Sequence, residues 1–290
     1  MRAMFESTLA LTCAFALLGS VAAAQGRGGA QGRGAGPGAA APAPTARQIA
    51  PVDLTGTWVS VVSEDWAWRM FTPPQGDYAS VPLNPAGRKV ADTWTPAQDG
   101  SCSAYGAAGV LRNPGRVRIS WQDDSTLKIE TDAGSQTRLL RFGPVPNLLP
   151  TVLPAVLPAA GQAGAASRTL QGQSVAAWQT TGVAVSSGAD GGASTSRAAG
   201  RPWASLKVVT TNMRAAWLRR NGVPYSENAV LTEHVDHFTD GVGPSASEWF
   251  AVTTMVEDPA YLNMPFVISS NFKKEPDGSK WSPTTCKANQ

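Results

Sequence analysis

Between Val117 and Phe142 the chain repeats one pattern three times. Val117-Arg-Ile119-Ser-Trp121 alternates, with Val117, Ile119 and Trp121 on one face. Gln122–Ser125 supplies a turn, Thr126–Thr131 returns, Asp132-Ala-Gly134 turns again, and Thr137–Phe142 follows. Side chains of period two, punctuated by turn residues about every ten positions, are the pattern of an antiparallel meander. The same texture recurs at Leu54–Val62, Gln171–Trp178, Leu206–Thr211, Val230–Phe238, Trp249–Val256 and Phe266–Lys274. This predicts a mainly β chain of about nine or ten strands, folded as a single antiparallel β-barrel or strongly curved meander sheet. The 29 glycines and 22 prolines exclude a helical bundle or coiled coil, which needs few breakers.

Helix signals are short. Asn84 reads as an N-cap with Pro85 in the first turn, and the helix is expected to run to about Trp94 and to close one barrel end. A second helical turn is expected over Arg214–Arg220, capped by Asn212 and stopped at Asn221-Gly222. Asp258-Pro259 reads as the N-cap of a third.

The ends and interruptions have other textures. Residues 1–24 read as a signal peptide: Arg2 leads, Leu9–Val21 is apolar, and Ala22-Ala23-Ala24 suits cleavage after Ala24. That apolar run is too short to span a bilayer, so the mature chain is expected to carry no transmembrane segment and to be periplasmic or secreted. Residues 25–47 are a Gly/Ala/Pro-rich tether without aromatic side chains, expected to stay disordered. Residues 48–290 are the barrel domain, with loop inserts at about 144–170, rich in proline, and about 182–201, rich in Gly, Ala and Ser. Proline at the first density forbids both helix and ladder.

Charge argues against nucleic acid as a partner. The whole chain carries 24 basic and 21 acidic side chains. Setting aside Arg2, Arg27, Arg33, Arg47 and Glu6 leaves 20 of each in residues 48–290, so the excess lies on the tail. Of three cysteines, Cys13 leaves with the leader. An exported chain pairs the remaining two, so Cys102 and Cys286 are expected to form a disulfide.

Candidate chemistry centres on Glu233-His234-Val235-Asp236-His237, which holds both histidines of the chain. Two histidines exclude a three-histidine zinc site, and no glycine motif follows a strand to cradle phosphate, so no metal and no other cofactor is expected. On a strand, His234 shares a face with Asp236, and Glu233 shares the other with His237. The second face mixes a carboxylate with Leu231 and Val235, as expected of a barrel interior, and a buried carboxylate needs a cation. Arg138, between Thr137 and Leu139, is the candidate. Glu233, His234 and His237 are therefore the residues an acid–base enzyme would use. Arg138, Trp68, Trp178 and Tyr225 are those a ligand site would use. Alternation places Trp66 and Trp68 on one face. Ser174 lacks the second glycine of a nucleophile elbow, so a serine hydrolase is rejected.

Several stretches together resemble a group of exported, uncharacterised Gram-negative bacterial proteins with a lipocalin-like (calycin-type) β-barrel. Gly56-Thr57-Trp58 is similar to the Gly-x-Trp opening of such barrels. Thr137-Arg138-Leu139, Gly172-x-Ser174 before Trp178, Leu206-x-Val208-x-Thr210, Asn221-Gly222-x-Pro224, Glu233 and Glu257-Asp258-Pro259 are the other stretches, spread over most of residues 53–285 outside the inserts. The resemblance implies fold and export but no chemistry, and the long inserts depart from the group's pattern. Three functions stay open: binding of a small, mainly apolar or aromatic ligand; an isomerase, hydratase or lyase on the same barrel; and an envelope-associated interaction protein. The sequence carries no signal for an oligomeric state.

Overall fold

Nine strands close into a barrel in the order β1-β11-β10-β9-β6-β5-β4-β3-β2. They are β1 (Gly56–Val61), β2 (Arg116–Asp123), β3 (Thr126–Thr131), β4 (Thr137–Phe142), β5 (Gln173–Thr180), β6 (Ala204–Thr211), β9 (Val230–Asp240), β10 (Ser247–Glu257) and β11 (Phe266–Glu275). A two-stranded ribbon, β7 (Ala216–Trp217) with β8 (Pro224–Tyr225), and three short helices, α1 (Trp66–Met70), α2 (Pro85–Ala91) and α3 (Ala107–Val110), complete it. This computed structural model describes residues 43–145, 167–180 and 204–288. The signal peptide, residues 25–42 of the tether, most of the first insert and all of the second lie outside the described residues.

The meander is locally encoded. At the β2–β3 turn, Asp123 Oδ1 accepts both the backbone N–H and the hydroxyl of Ser125, at 2.8 and 2.9 Å. Between β3 and β4, Gly134 and Ser135 take left-handed conformations, φ +74° and +50°, which reverse the chain. One pair departs from antiparallel order: β4 and β5 run parallel, with Leu140 opposite Ser174. A parallel pair needs a long crossover, and residues 143–172, with the Pro-rich insert, provide the length.

The strands put one face of each inside. Val117 and Ile119, Leu127 and Ile129, Leu140, Ala176, Leu206 and Val208, Val235, Phe250 and Val252, and Phe272 form one buried cluster with Trp58. Trp58, Leu127, Leu140, Leu206 and Phe272 are among the largest side chains removed from solvent, so packed side chains fill the lumen. At the end where β1 starts, the segment before it closes the barrel. Leu54 is buried, Trp58 Nε1 donates to the Leu54 carbonyl at 3.0 Å, and Trp178 Nε1 to that of Ala46 at 3.2 Å. Beneath this plug Trp121, Phe142 and Trp178 pack in a row, ring centroids 5.3 and 5.5 Å apart.

The other end carries the helices. A second cluster joins Leu83, Ala91, Ala107, Ala108, Leu218, Val223 and Tyr225 to Leu231, Val256, Phe266 and Ile268 of the strands below. Asn84 caps α2, its Oδ1 accepting from Gly87 N at 2.8 Å, with Pro85 in the first turn. The disulfide joins Cys102 to Cys286, Cα atoms 4.9 Å apart, and straps the C-terminal segment across this region.

Four local expectations are corrected. The α2 helix ends at Ala91, because Asp92 N–H turns back to the Arg88 and Val90 carbonyls and Trp94 is drawn into the core. The stretch Arg214–Arg220 is no helix: Ala216-Trp217 pairs with Pro224-Tyr225, and the turn between them carries Gly222 at φ +78°. Asp258 caps a turn rather than a helix: its Oδ1 accepts from Ala260 N at 3.2 Å, and the carboxylate also accepts from Ser226 N and Oγ at 2.6 and 2.7 Å. Trp66 and Trp68 do not share a face, because α1 is helical and two residues there differ by about 200°.

Candidate functional site

Four of the stretches singled out in the sequence converge inside the barrel. Arg138 of β4 gives two N–H bonds to the Glu233 carboxylate of β9, Nη1 to Oε1 at 3.1 Å and Nη2 to Oε2 at 2.7 Å. Nη2 also reaches Thr210 Oγ1 of β6 at 3.2 Å, and that hydroxyl lies 2.7 Å from Ser174 Oγ of β5. Arg138 and Glu233 are 2% and 3% exposed, so this is an ion pair removed from water. Period-two alternation aims each of the four side chains inward.

Tyr225 lies nearby. It is fully buried, its hydroxyl has no hydrogen-bond partner among the described residues, and burial pushes its phenol above the usual range against the pull of Arg138 and Arg214. The phenol fits because residue 106 is glycine: a Cβ there would stand 2.2 Å from the Tyr225 oxygen.

The residues expected to do acid–base work are not brought together. Glu233 is engaged by Arg138. His234 sits on the outer face opposite Lys207 of β6, where burial and that lysine hold its imidazole below the ordinary value. His237 shares the inner face with Glu233 but lies at the plugged end, Nε2 3.5 Å from Glu248 Oε2 and its ring against Trp58. The four expected ligand residues also separate. Trp178 is at the plugged end and Trp68 and Tyr225 are at the helical end, with Arg138 in the lumen between.

Trp68 leads to a cluster the sequence reading missed. Three arginines are buried at the helical end: Arg69 of α1 (2% exposed), Arg112 just after α3 (5%) and Arg219 in the β7–β8 turn (3%). Arg69 is fully engaged, Nε to the Arg112 carbonyl at 2.9 Å, Nη1 to Glu64 Oε1 at 2.7 Å and Nη2 to Ser60 Oγ at 3.3 Å. Arg112 lies over the Phe266 ring at 5.4 Å, and Arg219 over Trp68 at 4.9 Å. Neither Nη atom of Arg112 and none of the three side-chain nitrogens of Arg219 has a hydrogen-bond acceptor among the described residues. Burial, then the nearby Arg219 charge, pushes Arg112 down to about 9, and burial also lowers Arg69 and Arg219. Each of the three follows an apolar residue, in Trp68-Arg69, Leu111-Arg112 and Leu218-Arg219, but so do the unburied Arg118 and Arg141, so no local signal singles them out.

Surface depressions lie elsewhere. One of about 690 Å³ is lined by Ser101, Ser103, Trp217 and Lys287 near the disulfide, and one of about 340 Å³ by Asp53, His237 and Glu248 at the plugged rim. Among the described residues no group of three or more metal-ligating side chains gathers, and no helix is long and apolar enough to cross a membrane. Compared with known protein families, with curated proteins and with solved structures, the chain matches none. The closed nine-strand barrel is compatible with a calycin-like barrel.

Proposed function

We propose that the chain is an exported protein of the group it resembles, and that it binds a small, mainly apolar molecule at the helical end of its barrel. The supporting observation is the segment Trp66–Phe71. Trp66, Met70 and Phe71 are 60%, 52% and 64% exposed, while Trp68 and Arg69 between them turn inward. Three large apolar side chains left in water on six consecutive residues favour a binding surface over random exposure. The lumen itself is a poor seat, since Trp58, Leu127, Leu140 and Phe272 occupy it. The separation of Glu233, His234 and His237 favours binding over acid–base catalysis. Export rests on the leader and agrees with a disulfide, which persists in an oxidising compartment.

Native mass spectrometry of protein purified from periplasm tests this reading. The expected result is a small-molecule adduct that Phe71→Ser loses while the disulfide and the circular-dichroism spectrum are kept. A wild-type protein that carries no adduct and takes up no apolar probe overturns it.

A further inference from the structure

Beneath the exposed face of α1 lie guanidinium groups with donors that meet no hydrogen-bond acceptor among the described residues. The charges can be counted. Arg69, Arg112 and Arg219 are joined by Arg220, whose Nη2 donates to the Arg69 carbonyl at 2.8 Å. Facing them are three carboxylates: Glu64 on Arg69, Asp65 3.6 Å from Arg112, and Asp77, which accepts from Trp68 Nε1 at 2.9 Å and attracts Arg219. Four cations against three anions leave one positive charge. Those carboxylates sit toward water, with Glu64 and Asp65 side chains 28% and 25% exposed, whereas the Arg112 and Arg219 guanidiniums do not.

Two guanidiniums that repel one another, each desolvated, with five nitrogens between them that meet no hydrogen-bond acceptor among the described residues, are a costly arrangement for a site with only a structural role. The arrangement suits an incoming oxyanion, because the planar guanidinium fork matches a carboxylate in two parallel N–H···O bonds. The walls beside it are aromatic, Trp68 against Arg219 and Phe266 against Arg112. A single negative charge would balance the count, and a doubly charged phosphate would overshoot it.

We propose that Arg112 and Arg219 form a binding site for the carboxylate of a monoanionic organic acid whose apolar or aromatic body lies against Trp68 and the exposed face of α1. The inference rests on the apolar-ligand reading above and gives that ligand its head group. Arg69, pinned by Glu64, Ser60 and the Arg112 carbonyl, is a positioning residue.

The test uses the exported chain with its disulfide intact and three probes at pH 8, where inorganic phosphate is mostly the dianion, and constant ionic strength: benzoate, its neutral counterpart benzyl alcohol, and inorganic phosphate. Titration calorimetry is expected to show saturable benzoate binding, with benzyl alcohol about tenfold or more weaker, as the loss of charged hydrogen bonds requires. Phosphate should compete poorly. Arg219→Gln and Arg112→Gln should each weaken benzoate about tenfold or more while leaving benzyl alcohol unchanged. Arg219→Lys keeps the charge without the fork, provides a folded variant where the glutamine forms unfold, and should weaken benzoate as well. Equal binding of benzoate and benzyl alcohol overturns this inference and leaves the apolar reading standing. Phosphate displacing benzoate overturns the assignment of the head group. Binding of none of the three overturns it outright.

Discussion

Arg138 on β4 holds both carboxylate oxygens of Glu233 on β9, although β5 and β6 lie between those strands in the sheet. The pair therefore meets through the lumen and ties two non-adjacent stretches of the barrel wall together. Its Nη2 anchors Thr210 on the way, so one guanidinium touches two other strands.

Removing one partner strands the other charge in an apolar interior. Glu233→Ala should cost about 3–5 kcal/mol, whereas Arg138→Met with Glu233→Leu should fall near wild type. Urea midpoints of the single and double variants decide this. A double variant as unstable as the single one would show that the pair contributes more than its own neutralisation.

The barrel and this pair were legible because both follow from period two. Alternation in Leu231-Thr-Glu233-His234-Val235 assigns Glu233 to the apolar face, and a carboxylate there demands a cation. The arginine cluster was not legible, since Arg69, Arg112 and Arg219 come from a helix, a loop and a turn that only tertiary packing brings together. The ribbon Ala216–Tyr225 misled for a related reason. Ala216, Trp217 and Leu218 tolerate a helix locally, and pairing with Pro224-Tyr225 overrides that weak preference. Trp66-Ala-Trp68 alternates like a strand, yet Arg69 is drawn inward to Ser60 and Glu64, and a helical turn delivers it.

The disulfide carries a second prediction. Cys102 and Cys286 are 184 residues apart, so the bond closes a loop that takes in most of the domain. Chain-entropy reasoning gives such a loop roughly 5 kcal/mol, and measured losses run about 2–5 kcal/mol. Cys102→Ser with Cys286→Ser should lower the thermal midpoint accordingly. The strap has other holds, with Cys102 N donating to the Lys287 carbonyl at 2.8 Å and Thr284 N to that of Asp132 at 2.8 Å. Peptide mapping that recovers both thiols free would sink the pairing itself.

Tyr225 and Gly106 make a third prediction, opposite to the usual one. Removing a buried tyrosine hydroxyl normally destabilises, but this hydroxyl has no partner among the described residues. Tyr225→Phe should therefore stabilise by about 1 kcal/mol, the lower end of what a buried unsatisfied group costs. Gly106→Ala should destabilise, because its methyl would stand 2.2 Å from the phenolic oxygen. Combining the two should recover most of the loss, which a double-mutant cycle measures. Additive effects would place the damage of Gly106→Ala elsewhere, with Ala216 Cβ, 3.2 Å from the added methyl, as the nearest alternative.

Alkaline pH gives the fourth prediction, through Tyr78. Burial raises its phenol, as does the hydrogen bond its hydroxyl gives Asp92 at 2.7 Å, to about 12 against an ordinary 10. A raised phenol means that the folded protein holds the proton more tightly than the unfolded chain does. The stabilisation is then fully present below pH 10 and is lost as pH rises through 12, where both states are ionised. Wild-type stability should accordingly fall across that window more steeply than that of Tyr78→Phe, which has no proton to lose at this position. The comparison is made from urea midpoints at pH values on either side of 10 and just below 12. Absorbance at 295 nm should show one late-ionising tyrosine fewer in the variant. If the two proteins lose stability in parallel, Tyr78 ionises without resistance, and its hydrogen bond to Asp92 does not hold α2 to the turn that carries Tyr78.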